Sequence, residues 1–272
     1  MSLVEQFESD PPHLLNDFLT HGYVIRDVED RSALEEMRHE IVKAAVKLLD
    51  KPLPEDEGSF LDNIHRHLSI DKVNAFRLGM YRGINDQPWF RPTYFHLGRR
   101  ALESLVGNEL AMQNRINFSI QMPDDKTSLL DLHADVFTGE TPFQVVQWLP
   151  LVDVMRTKSM FILPRARSEA MTARMTEFAE GGMPKLFERI KDEVIWLDIP
   201  FGKVLIFSPN FLHGNVLNEE PTTRWSLNTR FKSLFTPYGT AEKGLGAYFL
   251  PITVRPTTRL GMAYRRPDGF KE

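Results

Sequence analysis

The sequence predicts an α+β chain built on a jelly-roll, cupin-like β core with an N-terminal helical flank and a helical insert. Three observations carry this. Up to about Arg100 the apolar residues recur at helical spacing. From Arg115 onward the chain breaks into short runs rich in Val, Ile, Phe and Trp, bounded by Pro, Gly, Asn and Asp. One polar, helix-like stretch, Glu169 to Lys191, interrupts those runs and is itself broken at Gly181, Gly182 and Pro184. Helices first and many strands after favour a β core with a flank over alternating βα units.

The elements follow in order. Pro12 to His21 reads as a short amphipathic helix with Pro at its start, capped near Asp10 and stopped by Gly22. Tyr23 to Arg26 reads as a strand. Asp30 to Leu49 places Leu34, Met37, Ile41, Ala45 and Leu48 three or four residues apart, an amphipathic helix. Lys51 to Ser59 is a loop, and helical character returns near Asp71 to Met80 and Pro92 to Leu105. The expected strands are RINFSIQM, FQVVQWLPLVDV, SMFILP, EVIWLDI, KVLIFSP and RWSLNTRFKSLF. A single domain over 1–272 is expected: a mainly helical flank over 1–110, a β core over 111–236 with its insert at 169–191, and a C-terminal segment over 237–272.

Composition bounds the chemistry. The 272 residues carry 42% hydrophobic residues and no cysteine. Disulfides, thiolate zinc sites, iron–sulfur ligation and cysteine nucleophiles are thereby excluded. Any metal must be held by nitrogen and oxygen. A net charge of −4, from 33 basic and 37 acidic residues, gives no reason to expect nucleic acid. Acids stand where a signal peptide would carry a basic region, and no apolar run approaches a membrane span. A soluble, cytoplasmic protein with no membrane partner is the expectation.

Of eight histidines, only His133 has a carboxylate two residues on, Asp135. In a strand, residues i and i+2 share a face, so imidazole and carboxylate would converge. The pair alone is weak, since a chain of this composition yields about half such a pair by chance. One histidine follows it, His213, after the apolar run KVLIFSP and before Gly214-Asn215. Two histidines and one carboxylate on a β scaffold are the ingredients of the facial triad that holds Fe(II) and leaves positions open for O₂ and a cosubstrate. The bland alternative is a strand cap at His133 and a turn residue at His213.

Arg224 lies eleven residues after His213, and Ser226 shares its strand face. A planar guanidinium meets a carboxylate in two parallel hydrogen bonds and stays charged when buried, and a neighbouring hydroxyl adds a third bond. The pair therefore suits the distal carboxylate of 2-oxoglutarate, while a surface charge on a strand is the alternative for Arg224.

His133-x-Asp135, His213 and Arg224-x-Ser226 together resemble the Fe(II)/2-oxoglutarate oxygenases of the phytanoyl-CoA dioxygenase-like group. FLTHGYVIRD, from Phe18 to Asp27, and the order of flank before barrel resemble that group too. The resemblance implies a double-stranded β-helix core, with Fe(II) on His133, Asp135 and His213 and 2-oxoglutarate on Arg224 and Ser226. It also implies O₂-dependent oxidation of a C–H bond. Asp135 implies hydroxylation, oxidation or ring closure, because related halogenases replace this carboxylate by a small residue. Asn215 stands where several relatives use Ser, which leaves one cosubstrate contact open. Trp148 stands where relatives place an aromatic beside the cosubstrate, but a core aromatic on FQVVQWLP is the favoured reading. HADVFTGETPFQVVQWLPLVDV is similar to oxygenases encoded in bacterial carbohydrate and aminoglycoside clusters, which implies a sugar, a sugar conjugate or a similar small polar substrate.

Arg115, Gln121, Gln144 and Arg230 are the candidate substrate residues. Each is polar on an otherwise apolar run, where burial would demand a partner. For Arg115 a solvated face, and for Arg230 an interior ion pair, are equal alternatives. The insert 169–191 and Leu53 to His67 are candidate lids. His65-x-His67 reads as a solvated pair. The aromatic and arginine-rich run Trp89 to Arg100 reads as a packed flanking helix or part of a substrate entrance. Two other functions use the same residues: a cupin-type metalloenzyme with no need of 2-oxoglutarate, and a non-enzymatic carbohydrate-binding jelly-roll module.

Overall fold

A computed structural model describes residues 12–178 and 181–269. The cap expected at Asp10 and the acidic leader lie outside the described residues. The helices of the flank are α1 (Pro12–His21), α2 (Arg31–Leu49), α3 (Glu57–Asp62), α4 (Ile70–Asn85), α5 (Phe90–His96) and α6 (Arg99–Val106). Between α1 and α2 runs β1 (Tyr23–Asp27). Gly22 turns the chain with φ 81°, and a Cβ there would overlap the ring of Phe211. Asp30 caps α2 by accepting from the Ala33 amide. Leu34, Met37, Ile41 and Ala45 are buried as the spacing predicts. Leu48 is not: it is half exposed, near the helix end, where it covers Gly79 of α4. The loop expected at 51–59 ends early, because Asp56 caps α3 by accepting from the Ser59 amide.

The β elements are β2 (Leu110–Gln113), β3 (Asn117–Gln121), β4 (Gln144–Pro150), β5 (Phe161–Ile162), β6 (Ile195–Trp196), β7 (Lys203–Phe207), β8 (His213–Gly214), β9 (Arg224–Ser233) and β10 (Phe249–Thr253). They form two antiparallel sheets. The larger has the order β1-β7-β4-β9-β2-β10, with β3 also paired to β9; the smaller has the order β6-β5-β8. Strands β1 and β10 extend the larger sheet on either side, so both the flank and the C-terminal segment contribute to the core. The insert resolves into α7 (Arg165–Thr172), α8 (Met175–Phe178) and α9 (Gly182–Ile190), and α10 (Pro256–Ala263) follows β10.

β9 positions the site. Trp225, Leu227 and Phe231 face the helical layer and are fully buried, Trp225 meeting the rings of Phe76 and Phe118 edge-on. Tyr94 of α5 donates to the carbonyls of Gln147 and Leu227 and so locks the helix layer onto β4 and β9. The run Trp89 to Arg100 is thus a packed flank. By strand alternation Arg224, Asn228 and Arg230 face the other way, into a cavity. No helix of the described residues is long and apolar enough to cross a membrane.

Candidate active site

A cavity of about 460 Å³ is lined on one side by β3, β4, β7 and β9. Its other side is formed by residues 213–215 and by residues 127–130, His133 and Asp135. His133, Asp135 and His213 meet on its wall, and their ligand atoms lie within 4.8 Å of one another. They are the one such group of three among the described residues.

The local backbone differs from the strand expected of His-x-Asp. His133 makes a single antiparallel bridge to His213, with reciprocal N–H to carbonyl bonds of 2.9 and 2.8 Å. Asp135 then opens a 3₁₀ turn ending at Thr138. Bridge and turn, rather than a continuous strand, bring the carboxylate to the imidazoles. Asp135 Oδ1 is 3.5 Å from His133 Nε2 and 3.7 Å from His213 Nε2.

Both rings have one nitrogen already committed. His133 Nδ1 is 2.7 Å from the Asp131 carbonyl, and His213 Nδ1 is 2.8 Å from the Phe211 carbonyl. A carbonyl can only accept, so each Nδ1 donates its proton there, and in the neutral ring Nε2 is the lone-pair nitrogen; His133 Nε2 donates to Asp135 only in the protonated ring. Burial pushes His213 down to about 4. For His133 burial acts downward, but the hydrogen bonds to Asp135 and to the Asp131 carbonyl outweigh it and raise it. Burial alone would raise Asp135. The hydrogen bond from His133 and the charge of Arg230 outweigh it and hold the carboxyl well below the usual range. One carboxylate and two bare imidazole nitrogens on one wall fit a divalent first-row metal.

Arg224 is buried, lines the same cavity and meets no carboxylate. Nη1 donates to the Ser159 carbonyl at 3.2 Å and Nη2 to Ser119 Oγ at 3.3 Å, while Nε has no partner. Burial pushes it down to about 10, with a smaller contribution from Arg77. Ser226, two residues on, is buried with its Oγ also unpartnered. A buried cation beside an orphaned hydroxyl fits a carboxylate ligand.

The remaining expected residues separate. Trp148 lines the cavity and also packs in the core. Asn215 lines the cavity, but its amide accepts from the Leu130 N–H at 2.6 Å and donates to the Ser128 carbonyl at 3.1 Å, clamping the 128–130 segment. Gln121 lies beside Arg224 in the β3–β9 register, fully buried, and donates to the Val216 carbonyl. Gln144 is buried and donates to Glu140 rather than facing the cavity. Arg230 lines the cavity and grips Asp135, so it is an interior ion pair. Arg115 is a correction. It precedes β3, points outward and pairs with Asp86 at 2.7 Å on the surface. Among the described residues, neither candidate lid segment, 169–191 or 53–67, lines the cavity. Residues of α7 and α9 instead pack against Leu132, Phe161 and Leu212 behind the smaller sheet. His65 bonds to Thr223 Oγ1.

Among the polar lining residues, Asn74, Arg77, Ser119, Thr127 and Ser128 escaped the sequence reading. Ser119 alternates with Asn117 and Gln121 and was open to the same face argument. Arg77 carried no signal. It sits on α4 and reaches the Ile120 carbonyl at 2.8 Å, Thr127 Oγ1 at 2.9 Å and the buried Asp125.

No protein-family model and no curated protein sequence matches the chain. Solved structures do. The non-haem monooxygenase ThoJ in its nickel complex matches at a TM-score of 0.58 and 15% identity, over 94% of this chain and 89% of that one. The chain shares the fold of non-haem oxygenases. The non-haem alpha-ketoglutarate-dependent carbocyclase SnoK, from nogalamycin biosynthesis, matches at 0.56 and 13% identity, over 90% and 98%. HygX from Streptomyces hygroscopicus, with nickel and 2-oxoglutarate bound, matches at 0.51 and 14% identity, over 88% and 96%.

Proposed function

We propose that the chain is an Fe(II)- and 2-oxoglutarate-dependent oxygenase that hydroxylates or otherwise oxidises a small polar metabolite. One observation carries the reading: the buried, acid-free Arg224 opens onto the same cavity as His133, Asp135 and His213. A metal triad alone serves many reactions. A triad with a buried cation behind it serves one whose cosubstrate has a metal-binding end and a carboxylate end.

His133 Nε2, His213 Nε2 and Asp135 Oδ1 would hold the iron, and Arg224 with Ser226 would hold the distal carboxylate of 2-oxoglutarate. When bound, iron, keto acid and O₂ together supply the oxidant for C–H oxidation, with succinate and CO₂ as coproducts. The chain's own groups do the rest. The Asp131 and Phe211 carbonyls fix both histidine tautomers. Trp148, Met160 and Phe207 dry the wall beside the triad. Asn74, Asn117 and Asn228 offer amides to substrate hydroxyls, Asn117 donating to Asn228 at 3.0 Å. Those amides favour a sugar or sugar conjugate. The resemblance to the phytanoyl-CoA dioxygenase-like group and the two-sheet order favour a double-stranded β-helix core, and the HADVFTGETPFQVVQWLPLVDV stretch favours a role in a carbohydrate biosynthetic cluster.

Anaerobic protein given Fe(II) and 2-oxoglutarate is expected to show a weak visible charge-transfer band, and on aeration to form succinate slowly. His133→Ala and Asp135→Ala are expected to lose both. Succinate production at the wild-type rate by either variant would sink the assignment.

A further inference from the structure

Arg230 treats the two oxygens of Asp135 differently. Oδ1 is turned toward both imidazole nitrogens, at 3.5 and 3.7 Å. Oδ2 is turned away and accepts from Arg230 Nε at 3.1 Å and Nη2 at 2.7 Å. The guanidinium does not span the carboxylate in the usual fork-on-fork manner. Two of its N–H groups close on a single oxygen.

The guanidinium is itself held. Nη1 donates to Gln113 Oε1 at 3.1 Å, and Nε lies 3.4 Å from Oε1 of the fully buried Glu140. Glu140 is gripped by Lys243 Nζ and Tyr248 Oη, each at 2.5 Å. Asp135 and Glu140 thus face Arg230 and Lys243, two acids against two bases. The cluster balances its own charge and draws Gln113, β9 and the C-terminal segment into one frame around a single carboxylate oxygen.

We propose that Arg230 is a positioning residue that keeps Asp135 a single-oxygen metal ligand. A carboxylate free to turn can chelate through both oxygens and take two positions around the ion. With Oδ2 committed to two charged N–H groups, only Oδ1 is available, and the second position stays open to other ligands. The inference rests on the metal-site reading above and goes beyond it, because nothing in that reading requires Arg230.

Co(II) tests this without turnover, since its visible absorption reports coordination number. Wild-type protein, Arg230→Gln and Arg230→Lys are titrated with Co(II) and then with 2-oxoglutarate, and folding is checked by circular dichroism and thermal melting. Arg230→Gln is expected to alter the Co(II) spectrum and to weaken 2-oxoglutarate binding to the Co(II) protein about ten- to hundredfold, the range for groups that orient metal ligands. Arg230→Lys keeps a charge on Oδ2 and is expected to recover part of the spectrum. A folded Arg230→Gln protein with the wild-type spectrum and 2-oxoglutarate affinity would overturn the proposal. A lowered melting temperature with an unchanged spectrum would equally reduce Arg230 to a structural ion pair. If the Gln variant does not fold, Arg230→Lys is read alone. A shifted spectrum supports the proposal, and a wild-type one overturns it, since one ammonium cannot reproduce the double grip. Wild-type protein that binds no Co(II) would defeat the metal reading itself, a separate failure.

Discussion

Arg224 and Ser226 stand two residues apart on one face of β9, both buried, and each leaves a polar atom without a protein partner. The Arg224 guanidinium meets only a carbonyl and a hydroxyl. Its displacement to about 10 by burial corresponds to roughly 3 kcal/mol of destabilisation of the charged form. Function and stability should therefore move in opposite directions. Arg224→Met is expected to raise the melting temperature of the ligand-free protein and to weaken 2-oxoglutarate binding about a hundredfold or more, within the range for truncating one member of a buried charge pair. Calorimetry with and without 2-oxoglutarate checks both. A variant that loses stability and keeps its affinity would mean that Arg224 is an ordinary structural residue.

How much of this was legible depends on where the partners of each residue lie in the chain. Arg224-x-Ser226 was readable because strand alternation is local, and β9 is long enough to obey it. His133-x-Asp135 was readable as a pair for the wrong local reason: a bridge and a 3₁₀ turn do what a strand was expected to do. Leu110–Gln113 was missed as a strand because four residues hold too little alternation to separate from a helix end, and pairing with β9 and β10 decides it. Arg77 was invisible because its reach to Asp125 depends on where α4 packs against β3. Arg115 misled because the strand starts two residues later than its apolar run suggests, which frees that side chain to the surface.

His213 makes the metal-free protein acid-sensitive. His213 titrates near 4 when folded, against an ordinary value of 6.5. A base whose folded value is depressed binds its proton more readily when unfolded, so stability falls as pH drops from about 6.5 to about 4. His133 is raised, so its contribution has the opposite sign: present at low pH and lost as pH rises through its folded value. Between pH 7 and pH 5 the His213 contribution alone costs about 2 kcal/mol. Urea unfolding at the two pH values is expected to show that loss, reduced by the opposing His133 contribution, in wild-type protein, and a smaller one in His213→Gln. Equal losses in both would show that His213 is not the group responsible.

Lys243 is the partly exposed end of a buried arrangement, a side chain from outside the main strands that pairs with a carboxylate inside them. Glu140 is fully buried, and Lys243 Nζ sits 2.5 Å from it. Lys243→Met leaves Glu140 with Arg230, Tyr248 and Gln144. Breaking a fully buried pair costs about 3–5 kcal/mol, and partial exposure of the lysine reduces this to about 2 kcal/mol. Urea unfolding should show that loss, and Glu140→Gln in the same chain should recover part of it by removing the unbalanced charge. Additive losses in the double variant would show that the two residues do not act as a pair.

Gly214 follows His213 on β8, and the space beside it leaves room for the Asp131 carbonyl that holds His133. A Cβ at Gly214 would lie 2.9 Å from the Leu130 carbonyl, 3.0 Å from the Phe161 ring and 3.2 Å from the Asp131 carbonyl. Two of these neighbours are backbone and can give way only if the whole segment moves. The Asp131 carbonyl is also the acceptor that fixes His133 Nδ1. Gly214→Ala should therefore push the 130–131 segment away, turn the His133 ring and spoil the convergence of its Nε2 with Asp135 and His213. The fold should persist, because the displaced backbone is a short segment at the cavity rim and not a strand of the larger sheet. Titration with Ni(II) is expected to show affinity lowered about ten- to hundredfold, as for loss of a group that orients a ligand. The melting temperature of the metal-free protein should change little beside that. Unchanged Ni(II) affinity in a folded Gly214→Ala protein would mean that the Asp131 carbonyl does not set the orientation of His133.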